Sequence, residues 1–194
     1  MRNIIVLPFR KLTILTLISL ASTSNFAVAD DAKSEVSKHA ANYFAELYSK
    51  TCVQYGDDLN ALKEQLTQAS VPELSEAKAK LFLENKPGTV WIIPNVYGDM
   101  LLSIDTKNTC TVYSRHLNIN HIEKAFIAEV ESGPASLIYH KVQEETVQSK
   151  LGPQHVIRYV MTNTATNSKK NYQLTTSTAD RVEAQIKAIV SDIE

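Results

Sequence analysis

Histidines and paired carboxylates are the residues of this sequence that could carry acid–base or metal chemistry. The histidines are His39, His116, His121, His140 and His155. His116 and His121 lie five residues apart across a predicted strand–helix link, and this spacing suits a shared metal ion poorly. Glu144 and Glu145 are neighbours in a predicted strand, so their side chains point to opposite faces and cannot flank one bond. These residues therefore predict no metal site and no catalytic carboxylate pair.

Short motifs that are typical of enzymes are also missing from the sequence. It contains no Gly-x-Ser-x-Gly elbow, no His-Glu-x-x-His zinc motif and no glycine-rich loop that could cradle a phosphate. We therefore predict no catalytic residue, no bound metal and no cofactor. An enzyme whose site is scattered through the fold stays open as an alternative, because one sequence does not reveal such a site.

Aromatic residues in the predicted strands are the candidates for recognition. Trp91 is the only tryptophan, and it lies in an apolar run that favours either core packing or a platform for a stacked ligand. The strand regions also hold Tyr97, Tyr113, Tyr139, Tyr159 and Tyr172. A tyrosine ring buries apolar area and its hydroxyl can bond to a partner, so a tyrosine-rich sheet face suits protein recognition as well as packing. The predicted binding residues are Trp91, Tyr97 and Tyr113.

The first 29 residues indicate where the protein works. Arg2, Arg10 and Lys11 precede an apolar run over residues 12–21, and Ala27-Val28-Ala29 is a small-x-small cleavage pattern. This arrangement is typical of a secretory signal peptide. The apolar run is too short to span a bilayer as a helix, and no lipid-site cysteine follows it. We expect a single domain over residues 30–194, located in the periplasm or secreted, without a stable membrane anchor.

Charge narrows the classes of partner. Cleavage after Ala29 would remove three basic residues and no acidic residue, which changes the formal charge from −1 to −4. A mildly acidic surface argues against nucleic acid and against an anionic membrane as partner. The hydrophobic fraction of 44% is ordinary for a folded globular domain.

The two cysteines, Cys52 and Cys110, are expected to form a disulfide, because thiols in an oxidising compartment usually pair. The bond would close a loop of about 59 residues, for which the chain-entropy relation gives roughly 4 kcal/mol of stabilisation. A reactive thiol is the alternative. Neither cysteine lies in a Cys-x-x-Cys motif, which makes that alternative the weaker one.

Periodicity predicts an α+β fold with a helical N-terminal segment. Apolar residues at helical spacing mark three helices. Their stripes are Val36, Ala40, Tyr43, Phe44, Leu47, Tyr48; Leu59, Leu62, Leu66; and Leu74, Ala77, Leu81, Phe82. Three strands over 89–93, 99–104 and 110–114 and a helix over about 122–130 follow. Three more strands, over 137–147, 155–162 and 172–176, precede a last helix from Thr178 with Val182, Ile186, Ile189, Val190 and Ile193 on one face. Six antiparallel strands would pack against helices, and the two strand–strand–strand–helix units suggest a weak internal repeat.

Part of the sequence resembles a group of small exported proteobacterial proteins of unknown function. The shared features are Cys52, the Gly-x-x-Trp strand that begins at Gly88, the Cys-x-Val strand that begins at Cys110, and a helix with Phe126. The resemblance covers residues 43–130, and the chain differs from the lipoprotein members in lacking the lipid-site cysteine. It implies no catalytic residue.

Small size, predicted export and the lack of catalytic motifs favour a non-enzymatic binding protein, for example an inhibitor or an immunity protein, whose partner is another protein. A periplasmic hydrolase with an unrecognised site and an accessory subunit of an envelope complex are the alternatives. A polar cleft with His116 or His121 beside a carboxylate would favour the hydrolase, whereas an exposed aromatic patch would favour binding.

Overall fold

The computed structural model describes residues 25–133, 136–179 and 183–193, and it confirms the α+β class with an N-terminal helical segment. The helices are α1 (Asn25–Tyr48, extended by a π-helical turn Ser49–Val53), α2 (Leu59–Gln68), α3 (Glu76–Phe82) and α4 (Ile119–Glu131). The strands are β1 (Gly88–Ile92), β2 (Met100–Asp105), β3 (Cys110–Ser114), β4 (Leu137–Ser149), β5 (Gly152–Asn163), β6 (Lys169–Ser177) and β7 (Ile186–Asp192). The predicted signal peptide lies mostly outside the described residues. Cleavage after Ala29 would also remove the first residues of α1.

The seven strands found in the described ranges form one antiparallel sheet, one strand more than predicted. Their order is β1-β2-β3-β7-β6-β5-β4. Within the sheet, the two three-stranded meanders, β1–β3 and β4–β6, are therefore joined through β7, which pairs with β3 on one side and β6 on the other.

The predicted C-terminal helix is wrong, because residues 186–192 form the strand β7. Ile186, Ala188 and Val190 alternate as fully or almost fully buried side chains, and Ile189 between them faces the opposite side of the sheet. β-branched residues are common in strands and less favourable in helices. The second half of the proposed repeat therefore ends in a strand. Val182, which was assigned to that helix, lies outside the described residues.

Helices α1 and α4 cover one face of the sheet, which we call the inner face. Phe44 and Tyr48 of α1 and Ile122 and Phe126 of α4 are fully buried, as predicted, whereas Val36 is exposed. They pack in one core with the strand residues Leu102, Val112, Ile157, Leu174, Ile186 and Ala188. This apolar face holds the two helices against the sheet.

The predicted disulfide between Cys52 and Cys110 is confirmed. It joins the π-helical turn after α1 to the first residue of β3, with 5.3 Å between the Cα atoms. Both cysteines are fully buried. The bond therefore fixes the end of α1 to the middle of the sheet.

Several tyrosine hydroxyls bond inside the molecule. Tyr48 donates to the Ile189 carbonyl oxygen at 2.9 Å, Tyr113 to the Phe82 carbonyl oxygen at 2.8 Å, and Tyr159 to a carboxylate oxygen of Glu131 at 3.0 Å. These rings are buried. Three of the tyrosines in the chain therefore act mainly as core residues with a satisfied polar end.

We expect the protein to lose stability at alkaline pH. Burial raises the pKa of Tyr48, Tyr113 and Tyr172 above the usual phenol value. Phenols in the unfolded chain titrate near pH ~10, so the stabilisation is complete below that pH and is lost as the pH rises through the folded-state pKa. Tyrosinate absorbance and near-ultraviolet circular dichroism, followed together, should show the last phenols ionising as tertiary structure disappears. Complete ionisation with tertiary structure intact would contradict this.

Candidate functional site

Helix α3 lies on the other face of the sheet, which we call the outer face, and it covers β1–β3. Ala79, Leu83 and Val90 form a small separate core beneath it. The sequence predicted Leu81 on the buried side, and this is wrong, because Leu81 is 58% exposed. The helix begins at Glu76, and Ala79 and Leu83, four residues apart, turn one face to the sheet. Leu81 therefore lies outside the face of α3 that packs against the sheet.

The chain before α3 closes the β1 edge of the sheet. The Leu74 amide donates to the Val90 carbonyl oxygen, and the Ile92 amide donates to the Pro72 carbonyl oxygen, both at 2.7 Å. These two bonds satisfy part of the free edge and hold the entry to α3 beside β1. The wall that α3 forms is thus fixed to the sheet by main-chain bonds.

An open cavity of about 660 Å³, which we call the groove, lies between α3, strands β1–β3, and loop 93–99. Its apolar lining includes Leu74, Leu81, Phe82, Ile92, Leu101 and Tyr113. Ile92 is 40% exposed. The polar groups around it come from Lys78, Asp99, Arg115 and Glu183. The groove therefore combines an apolar floor with charges of both signs.

Asn95 fixes the loop that forms the second wall of the groove. Its side-chain amide donates to the carbonyl oxygens of Ile93 and Gly98 at 2.9 and 3.0 Å, and its oxygen accepts from the amides of Tyr97 and Gly98. Gly98 has a φ of 139°, a conformation that a side chain would strain. Local hydrogen bonds therefore set the shape of this wall.

The structure places the three predicted binding residues in different surroundings. Trp91 is buried on the inner face, where its ring packs in the main core, and its indole nitrogen has no hydrogen-bond partner among the described residues. Tyr113 is also buried, but it lies on the outer face and lines the groove. Tyr97 is half-buried in loop 93–99 and packs against Tyr43, with 5.4 Å between ring centroids. A binding role for all three stays a prediction.

Tyr113 is held in place from two sides. Its hydroxyl lies 3.2 Å from the Ser103 hydroxyl in addition to its bond to Phe82, and the two rings meet edge to face at 5.3 Å. The ammonium group of Lys187 lies 5.9 Å from the ring centroid. Tyr113 is therefore a rigid part of the groove floor.

His116 and His121 line another cavity, near the start of α4. The His121 Nδ1 atom lies 3.0 Å from the Ser37 hydroxyl. Among the described residues, no carboxylate lines this cavity, so the arrangement that would favour a hydrolase is not found there. The part of the chain that the structure describes contains no cluster of three or more histidine, cysteine or acidic residues that could hold a metal ion.

One polar cluster was missed by the sequence analysis. A Glu123 carboxylate oxygen accepts a hydrogen bond from the Thr176 hydroxyl at 2.6 Å and lies 2.9 Å from the His155 Nδ1 atom. It joins α4 to β5 and β6. The three residues are distant in the chain and have no common motif, so no local signal could have found them.

A further cavity, which we call the inner cavity, lies between the end of α1, the end of α4 and strands β4–β6. Its volume is about 420 Å³. Tyr139 and Tyr172 line it with Glu129 and Lys170. Two of the tyrosines that the sequence placed in a recognition face are therefore brought together on the inner face, away from Tyr113.

None of the helices within the described ranges is both long enough and apolar enough to cross a membrane. Comparison with known protein families, curated proteins and solved structures found no match to this chain.

Proposed function

We propose that the protein is an exported, non-enzymatic binding protein of the inhibitor or immunity type, which holds an apolar segment of another protein in the groove. The observation that carries this proposal is the pair of large aliphatic side chains, Leu81 and Ile92, left exposed beside an apolar floor. An apolar centre with polar groups around it is the usual anatomy of a protein interface.

The rigidity of the groove supports the same function. Two main-chain bonds hold the entry to α3 beside β1, Asn95 braces the opposite wall, and the Tyr113 hydroxyl bond fixes the floor. A surface that is already ordered loses little conformational entropy when a partner binds. Export is supported by the N-terminal sequence pattern, and the disulfide is compatible with an oxidising compartment.

Photo-crosslinking in the producing cell tests this function. A crosslinking amino acid at Leu81 is expected to capture a specific protein, which mass spectrometry identifies. Leu151 provides a matched control, because it is a similarly exposed leucine (52%) in the turn between β4 and β5. A crosslinking residue at position 151 should give no such product.

The substitution Leu81→Asp should then weaken binding of the captured partner about tenfold or more, because truncation of a central apolar anchor commonly has that effect. Leu151→Asp should leave the affinity unchanged. Neither change should lower the melting temperature much, since both side chains are exposed. Equal capture from both positions, or full affinity after Leu81→Asp, would overturn the proposed function.

A further inference from the structure

Among the described residues that line the inner cavity, Lys170 is the one cation, and its ammonium group is already paired. Lys170 is only 7% exposed, and its ammonium group donates to the Gly56 carbonyl oxygen at 2.8 Å and to an Asp192 carboxylate oxygen at 2.7 Å. It also lies 3.2 Å from an Asp57 carboxylate oxygen. An ammonium group has three hydrogens, and these three acceptors account for all of them. Lys170 is therefore not available to an anionic ligand.

Glu129 supplies a negative charge to the same cavity, and the cation that acts on it, the exposed Lys50, is paired with Glu46 and lies beyond ion-pair distance from Glu129. It lies half-buried on α4, and its carboxylate makes no hydrogen bond or ion pair with any residue in the described ranges. Neighbouring acidic residues of α4 differ in this respect, because Glu123 bonds to Thr176 and Glu131 accepts from Tyr159. Asp57, the other carboxylate in the described lining, is paired with Lys170. Glu129 therefore keeps its negative charge without an ion pair.

Two tyrosine rings line the same cavity as this carboxylate. Tyr139 and Tyr172 meet edge to face, with 5.7 Å between ring centroids. Tyr172 is only 1% exposed, yet its hydroxyl makes no hydrogen bond within the part of the chain that the structure describes. Burial raises the pKa of both phenols, which keeps them neutral. They can donate or accept a hydrogen bond, and their π faces attract cations.

Gly133, at the end of α4, allows Tyr139 to reach its position. A methyl group added at this glycine would lie 2.5 Å from the Tyr139 ring. The backbone and the ring are thus in close contact at the rim of the inner cavity.

We infer that the inner cavity binds a small organic cation, an amine or a quaternary ammonium compound. Glu129 supplies the opposite charge, the half-buried Tyr139 supplies an aromatic ring, and Tyr172 supplies a hydroxyl without a partner in the described ranges. The one ammonium group among the described lining residues is already paired. The cavity volume suits a small molecule. This inference is independent of the groove and of the function proposed for it.

Choline and its uncharged carbon isostere, 3,3-dimethyl-1-butanol, are the probes that test this inference. Choline is expected to bind the full-length folded protein and to shift the NMR signals of the Tyr139 and Tyr172 rings. The isostere has the same shape without the charge, so its affinity should be lower than that of choline by about tenfold or more. Equal binding of the two compounds, or no binding at millimolar concentration, would overturn the inference. So would shifts confined to other parts of the protein.

Glu129→Gln keeps the size of the side chain and removes its charge, so it should weaken choline binding about tenfold. Glu64→Gln, on the exposed side of α2, is the matched control and should have no effect. Thermal melting checks that both variants are folded. Undiminished choline binding by Glu129→Gln would also overturn the inference.

Discussion

Replacement of Ala188 by aspartate is expected to destabilise the protein by more than about 3 kcal/mol. Ala188 is fully buried in β7, and its cross-strand neighbours are Val112 and Leu174, both fully buried and apolar. A carboxylate at this position would lose its water without gaining a cation from these neighbours. The free energy of unfolding, measured with chemical denaturant, tests the prediction.

Ser191→Asp provides the control within the same strand. Ser191 lies three residues further along β7 and is half-buried on the outer face, so the change should cost less than about 1 kcal/mol. The pair of variants also distinguishes strand from helix. In the helix predicted from Ile186, Ile189 and Ile193, Ala188 would face solvent. Similar small losses for both variants would contradict the strand.

Loss of the Cys52–Cys110 bond is expected to destabilise the protein by about 4 kcal/mol, because the bond closes a long loop in the unfolded chain. The two cysteines are separated by 58 residues. Cys52→Ser and Cys110→Ser should therefore have similar effects. The double variant should be little less stable than either single variant, since both changes remove the same bond.

Thiol titration of the unfolded, unreduced protein provides an independent measurement and should find no free sulfhydryl. Reduction of the parent protein should lower its stability by about the same amount as either serine variant, which controls for the change of side chain. Additive effects of the two substitutions, or two titratable thiols, would show that the bond does not form in solution.

Regular amphipathic patterns in the sequence predicted much of the fold. Helices α1, α2 and α4 and the bounds of β3 agree with the sequence analysis, because each buries a regular stripe or a short β-branched run. The C-terminal segment was misassigned because its isoleucines and valines fit helical spacing and also occur in strands. Its pairing with β3, which is distant in the chain, together with its pairing with the preceding strand β6, decides the outcome.

The buried face of α3 was predicted wrongly for a local reason. Leu74, Ala77 and Leu81 fit one helical face, but Leu74 bonds to β1, and the helix begins only at Glu76. The exposed Leu81 of the groove follows from that shift. Sequence alone did not reveal it, because the competing main-chain bond depends on the position of β1.

The candidate sites were only partly predictable. Tyr113 was selected as a tyrosine in a strand, but alternation along a strand does not say which face of the sheet a residue will occupy. The inner cavity combines Glu129 of α4 with Tyr139 of β4 and Tyr172 of β6. Tyr139 and Tyr172 lie on strands separated by β5, so neither spacing nor a motif connects them.

The position of β7 limits the order in which the molecule can fold. Each meander can assemble from neighbouring segments, but the two halves of the sheet become one only when residues 186–192 pair between β3 and β6. Contacts between segments distant in the chain form slowly, because a large loop must close first. During that delay β3 and β6 each present an unpaired edge, and such edges pair readily with other chains. We therefore expect the strand that completes the sheet also to protect the folding chain from aggregation.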